Sequence, residues 1–218
     1  MSNPRFSIII PHYDGVVSDQ RFIECLKSVE SQTFTDYEVL VYHDGPISRP
    51  LPFVACLETK QFNGGVKISK ERKGDWRHSL RSRGIKGAKG EYIFHLNADN
   101  IIYPNCLEEL NKLSRSTSPF LDDTNPDLLV MPIIMRGYAC NGNTSWRSLD
   151  YEEYSTILTG FPPEMGNIDC MQLIMKRDIW IKEGAWDIVE KDSDGIMYPH
   201  FILKYLARYC GKVLGEHR

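Results

Sequence analysis

The first hundred residues alternate between short apolar runs and amphipathic stretches, and this alternation restricts the chain to a small group of folds. Runs of five or six mainly apolar residues, typical of strands buried in a parallel sheet, occur at 6–10, 37–42 and 91–96. Stretches with apolar residues at helical spacing follow them, one after Ser18 or Asp19, others at 76–88 and 104–113. We therefore predict an α/β fold with a mostly parallel central sheet and helices on both faces.

The rest of the chain gives less regular signals. Asn63-Gly64-Gly65 is typical of a hairpin turn, and it predicts a turn in the stretch 58–68. Strands are expected at 127–135 and 170–175, and a helix at 196–209. A length of 218 residues suits a single domain.

Charge and composition exclude several classes of protein. There are 26 Lys and Arg residues against 29 Asp and Glu, and a net charge of −3 disfavours sequence-independent binding of nucleic acid. No apolar run approaches the roughly 18 residues that span a bilayer, and the run at 6–10 is too short for a signal peptide. The six cysteines form no C-x-x-C pair, which argues against a zinc ribbon. We expect no nucleic acid, no membrane span and a cytoplasmic location.

One stretch departs from this acidic balance. Between Lys67 and Lys89 the chain has nine Lys or Arg residues against only Glu71 and Asp75. A run of this kind is expected on a solvated helix face or, alternatively, at a binding site for an anion such as phosphate.

Polar residues follow three of the predicted strands: His12-Tyr13-Asp14, His43-Asp44 and Asn97-Ala98-Asp99-Asn100. Ligands of parallel α/β sheets bind beyond the carboxyl ends of the strands. Neither G-x-G-x-x-G nor G-x-x-x-x-G-K-[ST] occurs, so a phosphate group would need a metal ion or basic side chains. Asn97 and Asp99 are expected to face the same ligand because alternate residues leaving a strand point to one side. Otherwise Asp99 or Asn100 only caps the next turn.

Seven short motifs, taken together and in order, resemble those of family 2 glycosyltransferases with the GT-A fold. They are Ser7–Asp14 (family SIIIPTYN), Leu26–Thr33 (LxSxxxQT), Glu38–Gly45 (EIIVVDDGS), Arg81–Gly84 (RNxG), Gly90–Asn100 (GEYIxFLDADD), Gly184–Asp187 (GGFD) and Lys191–Asp194 (EDxD). The resemblance covers residues 5–105 well and 168–210 weakly.

The resemblance implies a single GT-A domain over residues 1–218. About 1–105 would bind the nucleotide-sugar donor, and about 106–218 would supply the acceptor-binding half and a C-terminal helix. The implied reaction is an inverting, metal-dependent transfer of a sugar, with a UDP-sugar as the expected donor, to the hydroxyl group of an acceptor. The acceptor, the donor sugar and the oligomeric state are left open.

The resemblance also implies roles for individual residues of this chain. Pro11 and Tyr13 would flank the base, with Asp14 next to them, and Asp44 would accept a hydrogen bond from uracil N3–H. Arg81 would face the base or the diphosphate. Asn97, Ala98 and Asp99 form the D-x-D-like motif, in which Asp99 would hold Mn²⁺ or Mg²⁺ between the two phosphates. His200 is either a further metal ligand or a structural residue.

An inverting transfer needs one general base for the proton of the acceptor hydroxyl. Asp192 is the first candidate for that base. Asp194 and Glu190 are its alternatives, and Asp192 is otherwise expected to be a helix N-cap.

Two other interpretations stay open. Asn97 and His43 each replace an Asp of the family motifs, and Lys191 replaces a Glu. The changes at Asn97 and Lys191 favour the alternative that the chain is a degenerate member, which binds a nucleotide or sugar without turnover. A nucleotidyltransferase is a third interpretation, but the Gly-rich loop and Lys expected after its first strand do not follow Ile10.

Overall fold

The elements of the chain largely follow the alternation that its sequence predicts. A computed structural model describes residues 3–51, 62–116, 125–140, 146–148, 155–184, 186 and 193–218. Its helices are α1 (Asp19–Glu30), α2 (His78–Gly87), α3 (Cys106–Ser114), α4 (Arg177–Glu183) and α5 (Ser193–Lys204). Its strands are β1 (Phe6–His12), β2 (Tyr37–His43), β3 (Phe62–Ile68), β4 (Tyr92–His95), β5 (Ile101–Ile102), β6 (Leu128–Val130), β7 (Ile133–Arg136), β8 (Tyr138–Cys140), β9 (Trp146–Ser148), β10 (Ser155–Leu158), β11 (Leu173–Lys176), β12 (Ala207–Tyr209) and β13 (Gly215–His217).

A seven-stranded sheet forms the centre of the molecule, in the order β12-β6-β11-β4-β1-β2-β3. β1 lies between β2 and β4 and runs parallel to both, and β3 continues the sheet in parallel beside β2. β11 is antiparallel to β4 and β6, whereas β12 is parallel to β6. The sheet is mostly parallel, which confirms the predicted fold class.

β1 and β2 are central because most of their side chains are apolar, on both faces of the sheet. Every residue of these two strands is buried. Alternate side chains point to opposite faces, so Ile8 packs in one hydrophobic cluster and Ile9 in the other. Each fully buried aliphatic side chain contributes about 1.5–3 kcal/mol relative to an exposed one, which favours this placement.

Helices cover both faces of the sheet, as the sequence predicts. α1 begins where the Ser18 hydroxyl accepts a hydrogen bond from the Arg21 backbone N–H at 3.3 Å, and it buries Phe22, Leu26 and Val29 on the Ile8 face. Side chains of α2, α4 and α5 cover the Ile9 face, among them Leu80, Trp180 and Phe201.

A second, four-stranded sheet has the order β10-β7-β13-β5. Its strand β13 is parallel to β7 and antiparallel to β5, which directly follows the turn after β4. This sheet therefore brings residues near 217 beside residues near 100. Strands β8 and β9 form a separate antiparallel pair.

Two predicted elements were wrong. Asn63-Gly64-Gly65 lies inside β3 and not in a hairpin turn, because β3 pairs in parallel with β2 across a register shift between Val39 and Val41. The predicted helix at 196–209 begins at Ser193 and ends at Lys204, and Ala207–Tyr209 forms strand β12 instead. Both departures come from pairing with distant strands, which a local pattern does not contain.

None of the described helices combines the length and the apolar composition that crossing a bilayer requires.

Candidate active site

The carboxyl ends of β1, β2 and β4 lie side by side, as the sequence predicts. The backbone N–H of Asp44 donates to the His12 carbonyl at 2.9 Å, and that of Leu96 donates to the Ile9 carbonyl at 3.0 Å. The chain after β4 then turns tightly, with the Asn100 N–H bonded to the Asn97 carbonyl at 3.0 Å. The polar residues that follow the three strands therefore share one edge of the sheet.

A cavity of about 220 Å³ opens at this edge. It is lined by Tyr13, Val16, Asp44, Arg72, Gly74, Trp76 and Arg77. The Arg72 guanidinium carbon lies 3.9 Å from the centre of the Tyr13 ring, in the geometry of a cation–π contact. The structure thus brings together Tyr13 and Asp44, two of the residues expected at the nucleotide base.

Asp44 is buried, with 3% of its surface exposed. Its Oδ1 accepts a hydrogen bond from the Lys73 backbone N–H at 2.9 Å, and its Oδ2 accepts one from the Gly74 N–H at 3.3 Å. Each carboxylate oxygen keeps a second acceptor position. Asp44 therefore fastens the loop before α2 to the sheet edge.

Two other residues predicted at the base, Pro11 and Asp14, are not among the residues that line this cavity. Pro11 is buried within β1, opposite Tyr42 in the ladder with β2. The Asp14 carboxylate accepts a hydrogen bond from the Ser48 hydroxyl at 2.7 Å, and this bond lowers the pKa of Asp14 below its usual range. Asp14 Oδ1 also lies 3.7 Å from Nε2 of the buried His43.

α2 begins in an unusual backbone conformation. Trp76 and Arg77 have φ values of 55° and 69°, a region that residues other than glycine adopt only when the surroundings hold them there. The helix therefore begins at His78, two residues later than the sequence predicts. Asp75 accepts a hydrogen bond from the Ser79 N–H at 3.0 Å and so caps the helix start.

Arg81 is buried on α2 and contacts the D-x-D-like motif directly. Its Nη2 donates to the Asn97 Oδ1 at 2.7 Å, and its Nη1 donates to the Trp76 carbonyl at 2.9 Å. Its guanidinium carbon lies 4.6 Å from the centre of the Trp186 ring. Arg81, which matches the family's Arg, and Asn97, which replaces the first Asp of its D-x-D motif, thus hold each other in place.

Trp186 belongs to the core beneath this site. Its Nε1 donates to His95 Nε2 at 3.0 Å, and its ring stacks on that of Trp180 with centres 6.0 Å apart. Burial lowers the pKa of His95 well below its usual range, which keeps the ring neutral and able to accept this hydrogen bond. This packing fixes the aromatic face against which Arg81 lies.

Within the D-x-D-like motif, Ala98 is fully buried, whereas Asn97 and Asp99 are partly exposed. The two polar members of the motif are thus the ones that a ligand could reach. In the described part of the chain, no group of three His, Cys, Asp or Glu side chains is arranged to hold a metal ion. A divalent ion held by Asp99 would therefore need most of its ligands from phosphate oxygens and water.

His200 is the other candidate metal ligand predicted from the sequence. It is exposed on α5, and its ring lies beside Phe201 with ring centres 6.0 Å apart. No three-residue metal group that includes it is found among the described residues.

The candidate general bases lie at the start of α5 and just before it. Asp192 and its alternative Glu190, like Lys191, lie outside the described residues. Asp194 stands in the first turn of α5, where its Oδ1 accepts the Gly195 N–H at 2.9 Å. Burial and the charge of Asp169 raise the pKa of Asp194 to about 6, and the charge of Arg81 opposes that rise.

Asp169 and His217 were missed by the sequence analysis. Asp169 Oδ1 accepts the Met171 N–H at 3.0 Å, and Asp169 Oδ2 lies 3.8 Å from His217 Nε2. His217 belongs to β13, so the second sheet brings it to the site. No local motif marks either residue, and only the strand pairing reveals them.

A larger cavity of about 590 Å³ lies elsewhere, at the amino ends of β1 and β4. It is lined by Asn3, Pro4, Arg5, Asp36, Lys89, Gly90, Glu91, Arg115, Lys176, Arg177 and Asp178. It contains none of the predicted site residues.

The profile of the family "Glycosyl transferase family 2" matches residues 7–180, which include the strand ends and α2. The chain belongs to this family. An uncharacterized glycosyltransferase of Rickettsia typhi is 36% identical over 118 residues, which are 51% of this chain and 33% of that protein. The chain thus spans about a third of the length of this curated relative.

Two solved structures share the fold of this chain. Staphylococcus aureus TarS, residues 1–349 with UDP-GlcNAc, superposes with a TM-score of 0.64 at 19% identity, over 98% of this chain and 58% of that chain. A mannosyltransferase from Pyrobaculum calidifontis, in complex with GDP-Man and Mn²⁺, gives a TM-score of 0.62 at 15% identity, over 100% of this chain and 57% of that chain. Both confirm the GT-A fold for this glycosyltransferase chain.

Proposed function

We propose that the chain transfers a sugar from a UDP-sugar to a hydroxyl acceptor with inversion at the anomeric carbon. The observation that carries the proposal is the arrangement at one sheet edge. There, a cavity containing Tyr13 and Asp44 adjoins the Arg81–Asn97 pair and the Asp99 turn. The related TarS was solved with UDP and with UDP-GlcNAc, which supports uridine as the nucleoside.

The nucleotide base would lie against Tyr13, since aromatic rings offer a flat apolar face to a base. The Asp44 carboxylate would accept the uracil N3–H on an oxygen that already accepts one backbone N–H. Stacking requires the Arg72 side chain to share or leave the Tyr13 ring. Calorimetry should therefore rank UDP above GDP and ADP, and equal affinities would contradict a role for Asp44 in recognising the base.

Asp99 would be the protein ligand of a Mn²⁺ or Mg²⁺ ion. When bound, such an ion supplies Lewis-acid stabilisation of the departing nucleoside diphosphate. The mannosyltransferase neighbour was crystallised with Mn²⁺, which supports a divalent ion here. Asp99→Ala is expected to abolish the Mn²⁺-dependent part of UDP binding, and Asn97→Ala only to weaken it, because Asn97 carries no charge.

The proposed general base is Asp192, with Asp194 as its alternative. The resemblance selects Asp192, whereas the surroundings of Asp194 give that carboxyl group a pKa of about 6, which suits proton abstraction near neutral pH. Removing the base should lower the transfer rate by about 10²- to 10⁴-fold while UDP affinity stays unchanged. Comparing Asp192→Asn with Asp194→Asn for both quantities assigns the role to the variant that loses transfer alone.

The experiment that tests the function measures release of nucleoside diphosphate from a panel of sugar nucleotides, with and without Mn²⁺. Turnover of at least one UDP-sugar, accelerated by Mn²⁺, is the expected result. Binding of UDP without turnover of any sugar nucleotide in the presence of simple hydroxyl acceptors would favour the second candidate, a degenerate binding protein. The engagement of Asn97 by Arg81 is the observation that favours that candidate.

A further inference from the structure

Arg77 is a partly buried cation in the crevice, and no carboxylate among the described residues forms an ion pair with it. Its side chain lines the same cavity as Tyr13 and Asp44. Its Nη1 is buried and has no hydrogen-bond partner among the described residues. Leaving a buried donor unpaired lowers the free energy of unfolding by about 1–3 kcal/mol, and by more when the donor is charged. An unpaired Arg77 Nη1 at the wall of a cavity is therefore an argument for a ligand that pairs with it.

The electrostatic surroundings of Arg77 strengthen this point. Burial lowers the pKa of Arg77, and the neighbouring charge of Arg81 lowers it further. The negative charges of Asp99 and Asp44 act in the opposite direction, yet neither forms an ion pair with Arg77 in the described structure. Arg77 and Arg81 are neighbouring positive charges, close to the turn that carries Asp99. Together they favour the binding of an anion.

The other donors at this point are partly engaged. Arg81 uses Nη1 and Nη2 for Trp76 and Asn97, whereas its buried Nε has no hydrogen-bond partner among the described residues. The Ser79 N–H at the start of α2 is taken by Asp75, so the helix terminus does not supply that donor. The left-handed conformation of Trp76 and Arg77 fixes where the Arg77 side chain leaves the backbone, and strained residues of this kind cluster at functional sites.

We propose that Arg77 binds the diphosphate of the nucleotide and gives this site a resident positive charge that does not depend on a metal ion. The proposal rests on the proposed function for its natural ligand, a nucleoside diphosphate. The planar guanidinium matches two phosphate oxygens at once, which a lysine ammonium does not. The family motif has an Asp at the position of Asn97, which would give a metal ion a second anionic ligand. The positive charge of Arg77 would compensate for the weaker metal binding that the neutral Asn97 causes.

The test measures affinities for UDP, uridine and inorganic pyrophosphate by calorimetry, with EDTA present to remove metal ions. The parent protein should bind UDP more tightly than uridine. Arg77→Gln should weaken UDP by about 10- to 100-fold, the factor expected for losing charge-assisted hydrogen bonds, and leave uridine unchanged. Pyrophosphate binding should be lost in parallel with that of UDP.

Lys86→Gln is the matched control, because it removes one positive charge from the exposed far end of the same helix. It should change none of the three affinities. Arg77→Lys keeps the charge and loses the planar fork, so it should weaken UDP and pyrophosphate by an intermediate factor. If Arg77→Gln does not fold, as judged by its thermal melt, the affinities of Arg77→Lys for UDP, uridine and pyrophosphate decide whether the proposal holds.

Unchanged UDP affinity in the Arg77 variants would overturn the proposal. An equal loss of UDP and uridine would also overturn it, since that would make Arg77 a structural residue. A parent that binds pyrophosphate through Arg77 but turns over no sugar nucleotide would contradict the proposed function and leave the anion site standing.

Discussion

Burial and the neighbouring charge of Asp169 raise the pKa of the Asp194 carboxyl group to about 6. Its pKa in the folded state lies above the usual value of 3.8, so the folded protein takes up the proton first as the pH falls. The cost of the buried charge is fully present above pH 6 and is relieved between pH 6 and pH 4. Asp194→Asn should therefore raise the free energy of unfolding at pH 7.5 by up to about 3 kcal/mol, with the gain vanishing toward pH 4.

Urea unfolding of the parent and of Asp194→Asn, at pH values from 4 to 7.5, measures this difference. Asp178→Asn is the control, because the Asp178 side chain is 95% exposed on α4. A pH-independent difference between Asp194→Asn and the parent would contradict the assigned surroundings.

Asp44 contributes to stability as well as to the proposed binding of the base. Asp44→Ala removes the acceptor of the Lys73 and Gly74 N–H groups, and we expect the free energy of unfolding to fall by about 1–3 kcal/mol. Asp36→Ala, at an exposed aspartate, should change it little. Chemical denaturation checks both, and an Asp44→Ala protein as stable as the parent would show that the loop before α2 is held by other contacts.

Helix α2 depends on a close approach to β1. A Cβ at Gly84 would lie 2.5 Å from Ile9 Cγ2, too close for the packed core to accept without movement. Although Gly→Ala inside a helix normally stabilises it by roughly 0.5–1 kcal/mol, Gly84→Ala should destabilise the protein by about 1–3 kcal/mol. It should also weaken UDP binding, because α2 positions Arg81 and Arg77.

The control for Gly84→Ala is Gly211→Ala, where a Cβ would meet no atom within 4 Å. Thermal melting of the two variants compares the effects. A Gly84→Ala protein with the melting temperature of the Gly211→Ala protein would mean that α2 is free to shift away from the sheet.

The elements at the start of the chain were predictable because their signals are local. The apolar runs of β1, β2 and β4, and the spacing in α1, depend only on neighbouring residues. β3 and β12 were not predictable, because β3 contains a glycine pair and β12 has a mixed sequence that becomes a strand only beside β6. Long-range pairing overrode local propensity in both.

The candidate site divides in the same way. Tyr13, Asp44 and Asp99 follow local strand signals, and their convergence could be predicted from the rule on sheet edges. Asp169 and His217 reach the site through pairing of strands far apart in sequence. Arg77 appeared in the sequence only as one member of a basic stretch, and its backbone conformation and burial distinguish it from the others.

The described part of the chain contains no group of three side chains that could hold a divalent ion. Because only Asp99 is proposed as a protein ligand, Mn²⁺ alone should leave the melting temperature unchanged, and UDP alone should raise it. Mn²⁺ added with UDP should raise it further, since a ligand stabilises a protein according to its concentration relative to its Kd. Asp99→Asn should lose only the Mn²⁺-dependent increment, and a stabilising effect of Mn²⁺ without UDP would contradict this arrangement.

The bond between the Arg218 backbone N–H and Asn100 Oδ1 joins residues 118 positions apart. A ribosome adds roughly 5–20 residues per second, so the turn that carries Asp99 emerges several seconds before β13 can pair with β5. During that interval the sheet edge has the residues that we propose bind the nucleotide sugar, but it lacks His217 and strand β13, which supports the turn. Completion of the crevice is thus timed by the arrival of β13, and nascent chains stalled before residue 215 should acquire the β1–β2 core without the ability to bind UDP.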